Sequence, residues 1–424
     1  MSVKVNMENL SNETREKINI DLTIELGKDK YNSLGPKKFI QPYSLINNDV
    51  ILPFAYGCRE LKLPRPDRFK FSSVNLVFNG KLRDEQVEVK DIALKILKTG
   101  SVIISAWPGF GKTLLSIYLS TVIKLKTLII VNKIVLMKQW EDSIVKLCPD
   151  ALVQKLTAKS DIKDADFYII NAINLPKIKN KFFDNIGTVI VDEVHLILAQ
   201  TLSKSLQMVF PRYLIGLSAT PFRYDDLDCL FDIYFGKDKI IRKMEREHIV
   251  YKLYTSFTPE MRKTENGRLD WGHILDAQAK DVERNQLMLN IIKHFKDRNF
   301  LVIVKRVHQG QYLMKKLVEM GENVSDLMGE KQIFDKSARI LIGTIQKVGV
   351  GFDHDKLDTL MLACDSAAYY SQLMGRVFRR KDTNPIIFDL IDNNFVLKKH
   401  YKIREEDYLS AGAIIKTLDI KKFI

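Results

Sequence analysis

The chain has 424 residues and 49.0 kDa, with 66 Lys and Arg against 52 Asp and Glu, a formal charge of +14 and a pI near 9.3. That length excludes a single small module and predicts two or three domains. With 46% of residues apolar the chain is expected to fold, and its basic surplus favours a polyanionic partner, nucleic acid before membrane.

Residues 1–80 carry five of the twelve prolines, Pro36, Pro42, Pro53, Pro64 and Pro66, and show no βαβ rhythm, so a small N-terminal module or arm of unassigned role is predicted there. The segment opens Met1-Ser2-Val3-Lys4 and soon meets Glu8, Glu13 and Asp21, unlike the apolar core of a secretory signal. Over the whole chain the longest stretch without a charged side chain, between Lys98 and Lys112, has 13 residues, too short for a helix to cross a bilayer core of about 30 Å. No membrane partner is expected. Cys58, Cys148, Cys229 and Cys364 lie far apart and suggest neither a zinc site nor a disulfide framework. The expected setting is intracellular and reducing, cytoplasm or nucleus, or the viral factory if the source is a virus.

From about residue 84 short apolar runs alternate with helical stretches. The runs are Ser101–Ile104, Thr127–Val131, Phe167–Ile170, Val189–Val191 and Leu214–Gly216, then Leu301–Val304, Ile340–Ile342, Thr359–Leu362 and Pro385–Phe388. Strands apolar on both faces belong to parallel sheets covered by helices. The prediction is an α/β protein with two tandem parallel-sheet domains, 82–240 and 285–424. The charge-rich, turn-containing stretch between them predicts a linker over 241–284.

Ala106-Trp107-Pro108-Gly109-Phe110-Gly111-Lys112-Thr113 sits between a predicted strand and an apolar helix. Backbone N–H groups of such a loop cradle phosphates, the helix start adds partial positive charge, Lys112 reaches the β and γ phosphates, and Thr113 offers a hydroxyl to Mg²⁺. ATP and Mg²⁺ are the expected cofactors. Val189-Ile190-Val191-Asp192-Glu193-Val194-His195 is an apolar strand ending in two carboxylates, where α/β sheets place ligand chemistry. Asp192 is expected to hold Mg²⁺ through water, and Glu193 to orient or deprotonate the attacking water. His195 is either a packed histidine or a link from the ATP site to the rest of a motor, and its place in Asp-Glu-Val-His favours the link.

With these motifs in order, residues 82 to 395 resemble superfamily 2 helicases, which implies two RecA-like domains with an ATP cleft between them. Leu82-Arg83-Asp84-Glu85-Gln86 resembles the adenine-reading segment, with Gln86 as the base contact. Asn132 to Trp140 looks like a nucleic-acid-contacting segment, and Ser218-Ala219-Thr220-Pro221 like the element that couples hydrolysis to the bound strand. Gly343 to Asp353 is similar to the strand-and-ribose-sensing motif, with Thr344 and Asp353 as its candidate contacts. Gln372-Leu373-Met374-Gly375-Arg376-Val377-Phe378-Arg379 matches QxxGRxxR, which implies that Gln372, Arg376 and Arg379 face the γ-phosphate. Arg376 and Arg379 are expected one turn apart on one helix.

Gly216 to Asp228 together with Asp281 to Asn285 resemble the repair and transcription DNA-translocase branch, including the poxvirus transcript-release type. The resemblance implies a DNA helicase or translocase in transcription, repair or replication, with transcription or replication machinery as its partners. An RNA helicase is the nearest alternative. Asp192-Glu193-Val194-His195 and Gln372 speak against its Asp-Glu-Ala-Asp branch, and the 45 residues after Arg379 against its Asp-Glu-Ala-His branch. A nucleotide-gated binding protein without unwinding is the remaining alternative.

Overall fold

The computed structural model describes residues 1–25, 39–198, 204–219, 227–331, 333–349, 352, 354–366, 370–380 and 382–423. The chain divides into two compact units, Met1–Ala106 with Phe110–Arg242, and Trp107–Gly109 with Lys243–Ile424.

In the first unit the apolar runs become a seven-stranded sheet in the order Lys239–Arg242, Ser101–Ala106, Tyr213–Ser218, Thr188–Val191, Thr127–Val131, Phe167–Asn171 and Val153–Leu156. Every pairing is parallel. Helices Lys112–Ile123 and Ile134–Leu147 make the crossovers, so strands such as Ser101–Ala106 are buried along their whole length. Parallel order puts all C-terminal strand ends on one edge. The ends of Ser101–Ala106, Tyr213–Ser218 and Thr188–Val191 are neighbours there, about 10 Å across three strands.

The second unit repeats the design. Its sheet runs Val324–Leu327, Ile340–Thr344, Phe300–Val304, Thr359–Leu362, Ile386–Ile391, His248–Tyr254 and Ala413–Thr417, again all parallel. The α/β class and the two tandem RecA-like sheets expected from the sequence are both present.

Two expected boundaries differ. Residues 1–80 do not stand apart: an antiparallel sheet of Ser2–Asn6, Asp49–Pro53 and Ser44–Ile46 contributes Met1, Val3, Leu52 and Phe54 to the same apolar core as Ile103, Leu128, Val189 and Phe231. The Ser2 N–H donates to the Val209 carbonyl at 2.9 Å, and Arg59 donates to the Ser101 carbonyl at 2.7 Å. Prolines and charges along this segment hide a contribution that only the folded core reveals. The second correction concerns 241–284. His248–Tyr254 lies inside the second sheet, between Ile386–Ile391 and Ala413–Thr417, and helices Trp271–Lys280 and Val282–His294 follow. Position 285 is therefore mid-helix. Lys252 makes this strand look like linker, and its charge is met by Glu405 at 2.7 Å.

Candidate active site

Ala106 ends its strand and the loop runs to Gly111, which caps helix Lys112–Ile123 in the left-handed region at φ 90°, ψ 35°. Gly109 has φ 90° as well. At Gly111 a side chain is excluded twice, by that backbone and by Gln86 Nε2, which would lie 2.4 Å from a Cβ. Gln86 is 2% exposed. Its amide donates to the Phe110 carbonyl at 2.7 Å and accepts from the Arg83 N–H at 2.9 Å, and the Arg83 guanidinium also donates to the Phe110 carbonyl. Gln86 thus braces the loop from beneath, with Phe110 buried as the anchor. Lys112 Nζ donates to the Ala106 carbonyl at 2.6 Å, which folds its charge over the loop, and Thr113 is half-buried beside it. Trp107 and Pro108 are half-buried too.

Asp192 follows the last residue of Thr188–Val191. Its Oδ2 accepts from the Trp140 indole at 2.9 Å, and its Oδ1 from the Glu193 N–H at 3.0 Å. Burial and then the neighbouring Glu193 push the Asp192 carboxyl up to about 6, against the opposing pull of Trp140 and Lys112. Glu193 has φ 49°, ψ 51°, a left-handed conformation that costs a residue with a Cβ about 1–3 kcal/mol. Its Oε2 is buried and accepts no hydrogen bond from the described residues. The strained turn leaves this oxygen without a hydrogen bond among the described residues, with His195 Nδ1 beside it at 3.5 Å.

His195 Nδ1 lies 2.9 Å from Ser218 Oγ and 3.5 Å from Glu193 Oε2. This bond joins the Asp-Glu-Val-His turn to the end of the neighbouring strand Tyr213–Ser218, so two residues expected to couple the ATP site are in direct contact. Ala219 follows, half-buried, whereas Thr220 and Asp353 lie outside the described residues.

In the second unit Thr344 ends its strand and is 8% exposed. Helix Tyr370–Val377 carries Arg376, which donates to the Phe352 carbonyl. Arg379 lies beyond the helix, so the expected one-turn spacing of the two arginines on a single helix is not what forms. Burial draws the Arg379 guanidinium below its ordinary value. The next residue, Arg380, is held by Asp358 at 3.0 Å and by Asp382. Gln372 lies on the helix, and its side chain is outside the described residues.

Sequence reasoning placed Trp140 in a nucleic-acid-contacting segment and missed its role as the donor to Asp192. The signal was a buried aromatic with a donor on the helix after the strand Thr127–Val131, since a buried indole N–H needs an acceptor.

The carboxylates present fit a Mg²⁺ ion. Among the described residues no three acidic, His or Cys side chains cluster to form a full protein cage, and Mg²⁺ in nucleotide sites takes one or two carboxylates with phosphate oxygens and water.

Residues 79–223 match the family described as the res subunit of type III restriction enzymes. "Putative helicase 161L" of Invertebrate iridescent virus 6 is 42% identical over 98% of this chain and 99% of its own length. The chain is a superfamily 2 helicase. As such it is an ATP hydrolase that binds ATP and nucleic acid. More distant relatives include the "Transcript termination protein A18" of Myxoma virus, 27% identical over 65% of this chain and 64% of that protein. The "Putative ATP-dependent RNA helicase L396" of Acanthamoeba polyphaga mimivirus is 24% identical over 94% of this chain and 82% of its own. The helicase fold is shared with S. cerevisiae Dbp5 bound to RNA and ADP BeF3, at a TM-score of 0.56 and 14% identity over 80% of this chain and 95% of that one. Among the described residues no helix is long and apolar enough to cross a membrane.

Proposed function

We propose that this helicase is an ATP-driven DNA translocase that serves transcription, repair or replication in a large DNA virus. The observation that carries the reading is the His195–Ser218 bond, which links the hydrolytic turn to the strand that leads into Ser-Ala-Thr. Support for the transcription branch comes from the similarity to the transcript termination protein A18. Support for DNA comes from Asp192-Glu193-Val194-His195 and Gln372, read above against the RNA branches.

The loop Ala106–Thr113 holds the nucleotide phosphates and Lys112 compensates their charge. Thr113 and Asp192 hold Mg²⁺, which supplies charge neutralisation to the phosphates when bound. Glu193, whose buried Oε2 accepts no hydrogen bond among the described residues, orients water and takes its proton. Gln86 senses the base while bracing the loop. Gln372, Arg376 and Arg379 act on the γ-phosphate, and Thr344 contacts the strand, with Thr220 and Asp353 in the same coupling role.

The test is ATPase activity with DNA and with RNA, beside an unwinding assay. The expected outcome is stronger stimulation by DNA, and no turnover in Lys112→Ala. The similarity to L396 favours a second reading, an RNA helicase, and stronger stimulation by RNA would select it.

A further inference from the structure

We propose that the second unit carries an additional phosphodiester-binding cleft on the sheet edge opposite its motif residues. Helix Val282–His294 ends where the chain turns toward the central strand Phe300–Val304, at the N-terminal edge of the parallel sheet. Thr344 sits at the other edge, as the last residue of its strand. Beside the helix end an open cleft of about 440 Å³ is lined by Asn290, Lys293, His294, Lys296, Lys422 and Phe423.

The cleft is held in shape. Phe423 is 8% exposed, meets His294 edge-on at 5.1 Å, and its carbonyl accepts from the Asn290 amide. The short turn Ile420–Lys422 is capped by Asp419, whose carboxylate accepts the Lys421 N–H at 3.1 Å. Lys422 is therefore presented next to Lys293 and Lys296 by anchored backbone.

Charge decides what the cleft takes. Some surface lysines meet carboxylates, as in Lys138–Asp142 at 2.7 Å and Lys316–Glu319 at 2.8 Å, and others, such as Lys17 and Lys95, stand singly among the described residues; here several unpaired lysines converge on one cleft. Lys293, Lys296, Lys421 and Lys422 are all exposed, and none has an ion-pair partner among the described residues. Asp297 is the acid adjacent in sequence and is exposed as well. The negative end of the helix accounts for Lys293 and His294. It does not account for Lys296 and Lys422, which come from other segments. Cationic side chains from separate segments around one cleft suit a backbone of regularly spaced phosphates. The occupant is nucleic acid running beyond the stretch that the motor motifs engage. The inference rests on the nucleic-acid reading above for its ligand, not for its geometry.

The test compares the full chain with the triple variant Lys293→Glu, Lys296→Glu, Lys422→Glu, using a labelled DNA duplex and a labelled RNA strand over a salt series. The expected result is a log affinity against log salt slope shallower by about 0.9 for each lysine that neutralises a duplex phosphate, hence by roughly 2 to 3 in the triple variant. ATPase activity without nucleic acid should stay unchanged. The corresponding Lys→Gln triple, with an unchanged melting temperature, should reproduce most of the change and so exclude misfolding. An unaltered slope in both variants beside a steep wild-type slope overturns the cleft and leaves the motor reading intact. Capture of polyglutamate by the cleft with unaltered nucleic-acid affinity overturns it in favour of an acidic protein. A wild-type chain whose nucleic-acid binding ignores salt sinks the functional reading and the cleft together.

Discussion

The two sheets end alike and are finished differently. At the C-terminal edge of the first sheet, Asp192 is raised by burial and by Glu193, and Glu193 is strained and holds a buried oxygen that accepts no hydrogen bond among the described residues. At the same edge of the second sheet, Asp389 takes Arg404 on both oxygens, at 2.8 and 2.9 Å, together with the Tyr408 hydroxyl. Asp365 takes Arg404 at 3.1 Å and His400 at 2.6 Å. Asp392 takes Arg284, Gln278 and Thr255 at 2.9, 2.6 and 2.7 Å. The lesson is that carboxylates at strand ends have two uses. Neutralised by buried arginines they fix loops, and left short of partners they are ready for a ligand.

The largest effect should come from opening the saturated edge. Arg404 is 2% exposed, so Arg404→Met strands two buried carboxylates and should cost about 3–5 kcal/mol, read as a lower urea midpoint of the second unit. The counterpart on the other edge is Glu193→Gln, expected to slow ATP turnover by about 100-fold or more, near 2.7 kcal/mol in activation free energy, with little change in melting temperature. Equal losses of stability in the two variants would erase the contrast.

The edges should also answer pH with opposite sign. Asp192 has a folded value above its unfolded one, so folding carries a penalty at neutral pH that fades as pH falls from about 6. Asp192→Asn should therefore stabilise the nucleotide-free protein by on the order of 1–3 kcal/mol at neutral pH, with the gain vanishing below the ordinary carboxylate range near pH 4. For Asp365 burial pushes upward, but the bond from His400 and the charge of Arg404 outweigh it and hold the carboxyl down. Its stabilisation is present above the ordinary carboxylate range and is lost as pH falls through the lowered value. Denaturation followed from pH 7 to pH 3 would expose both signs. The smallest effect is expected from Trp140→Phe, which removes one donor to Asp192. About 1 kcal/mol should appear as a several-fold change in the Mg²⁺ concentration needed for nucleotide binding, measured by calorimetry, with ATP affinity at saturating Mg²⁺ preserved.

Much of this was legible in the sequence for a physical reason. Strands such as Thr127–Val131 and Thr359–Leu362 are uniformly apolar because helices cover both faces, and their predicted bounds coincide with those in the structure. His248–Tyr254 was hidden because the charge of Lys252 is met by Glu405, a residue far away in sequence. The saturated edge was invisible for the same reason, since Arg284 and Asp392 share no local pattern. In the phosphate loop, glycine spacing and the Lys-Thr pair point to the nucleotide. That Gln86 closes on Gly111 was not readable, because it depends on how a helix start and a loop meet in space.

The Ser2 to Val209 hydrogen bond and the burial of Met1 and Val3 in the first core bear on how the chain is made. The strand Ser2–Asn6 can pair early with Asp49–Pro53, but the core that buries Met1 and Val3 is incomplete until the strand Thr188–Val191 and the segment around Val209 have been synthesised. At about 5–20 residues per second that is a delay of roughly 10 to 40 s. Over that interval the small sheet of Ser2–Asn6, Asp49–Pro53 and Ser44–Ile46 keeps an uncovered apolar face and open edges, the kind that invite wrong pairing. The first unit therefore cannot close in order of synthesis, and a chaperone that shields short apolar strands should raise its yield without touching its final stability.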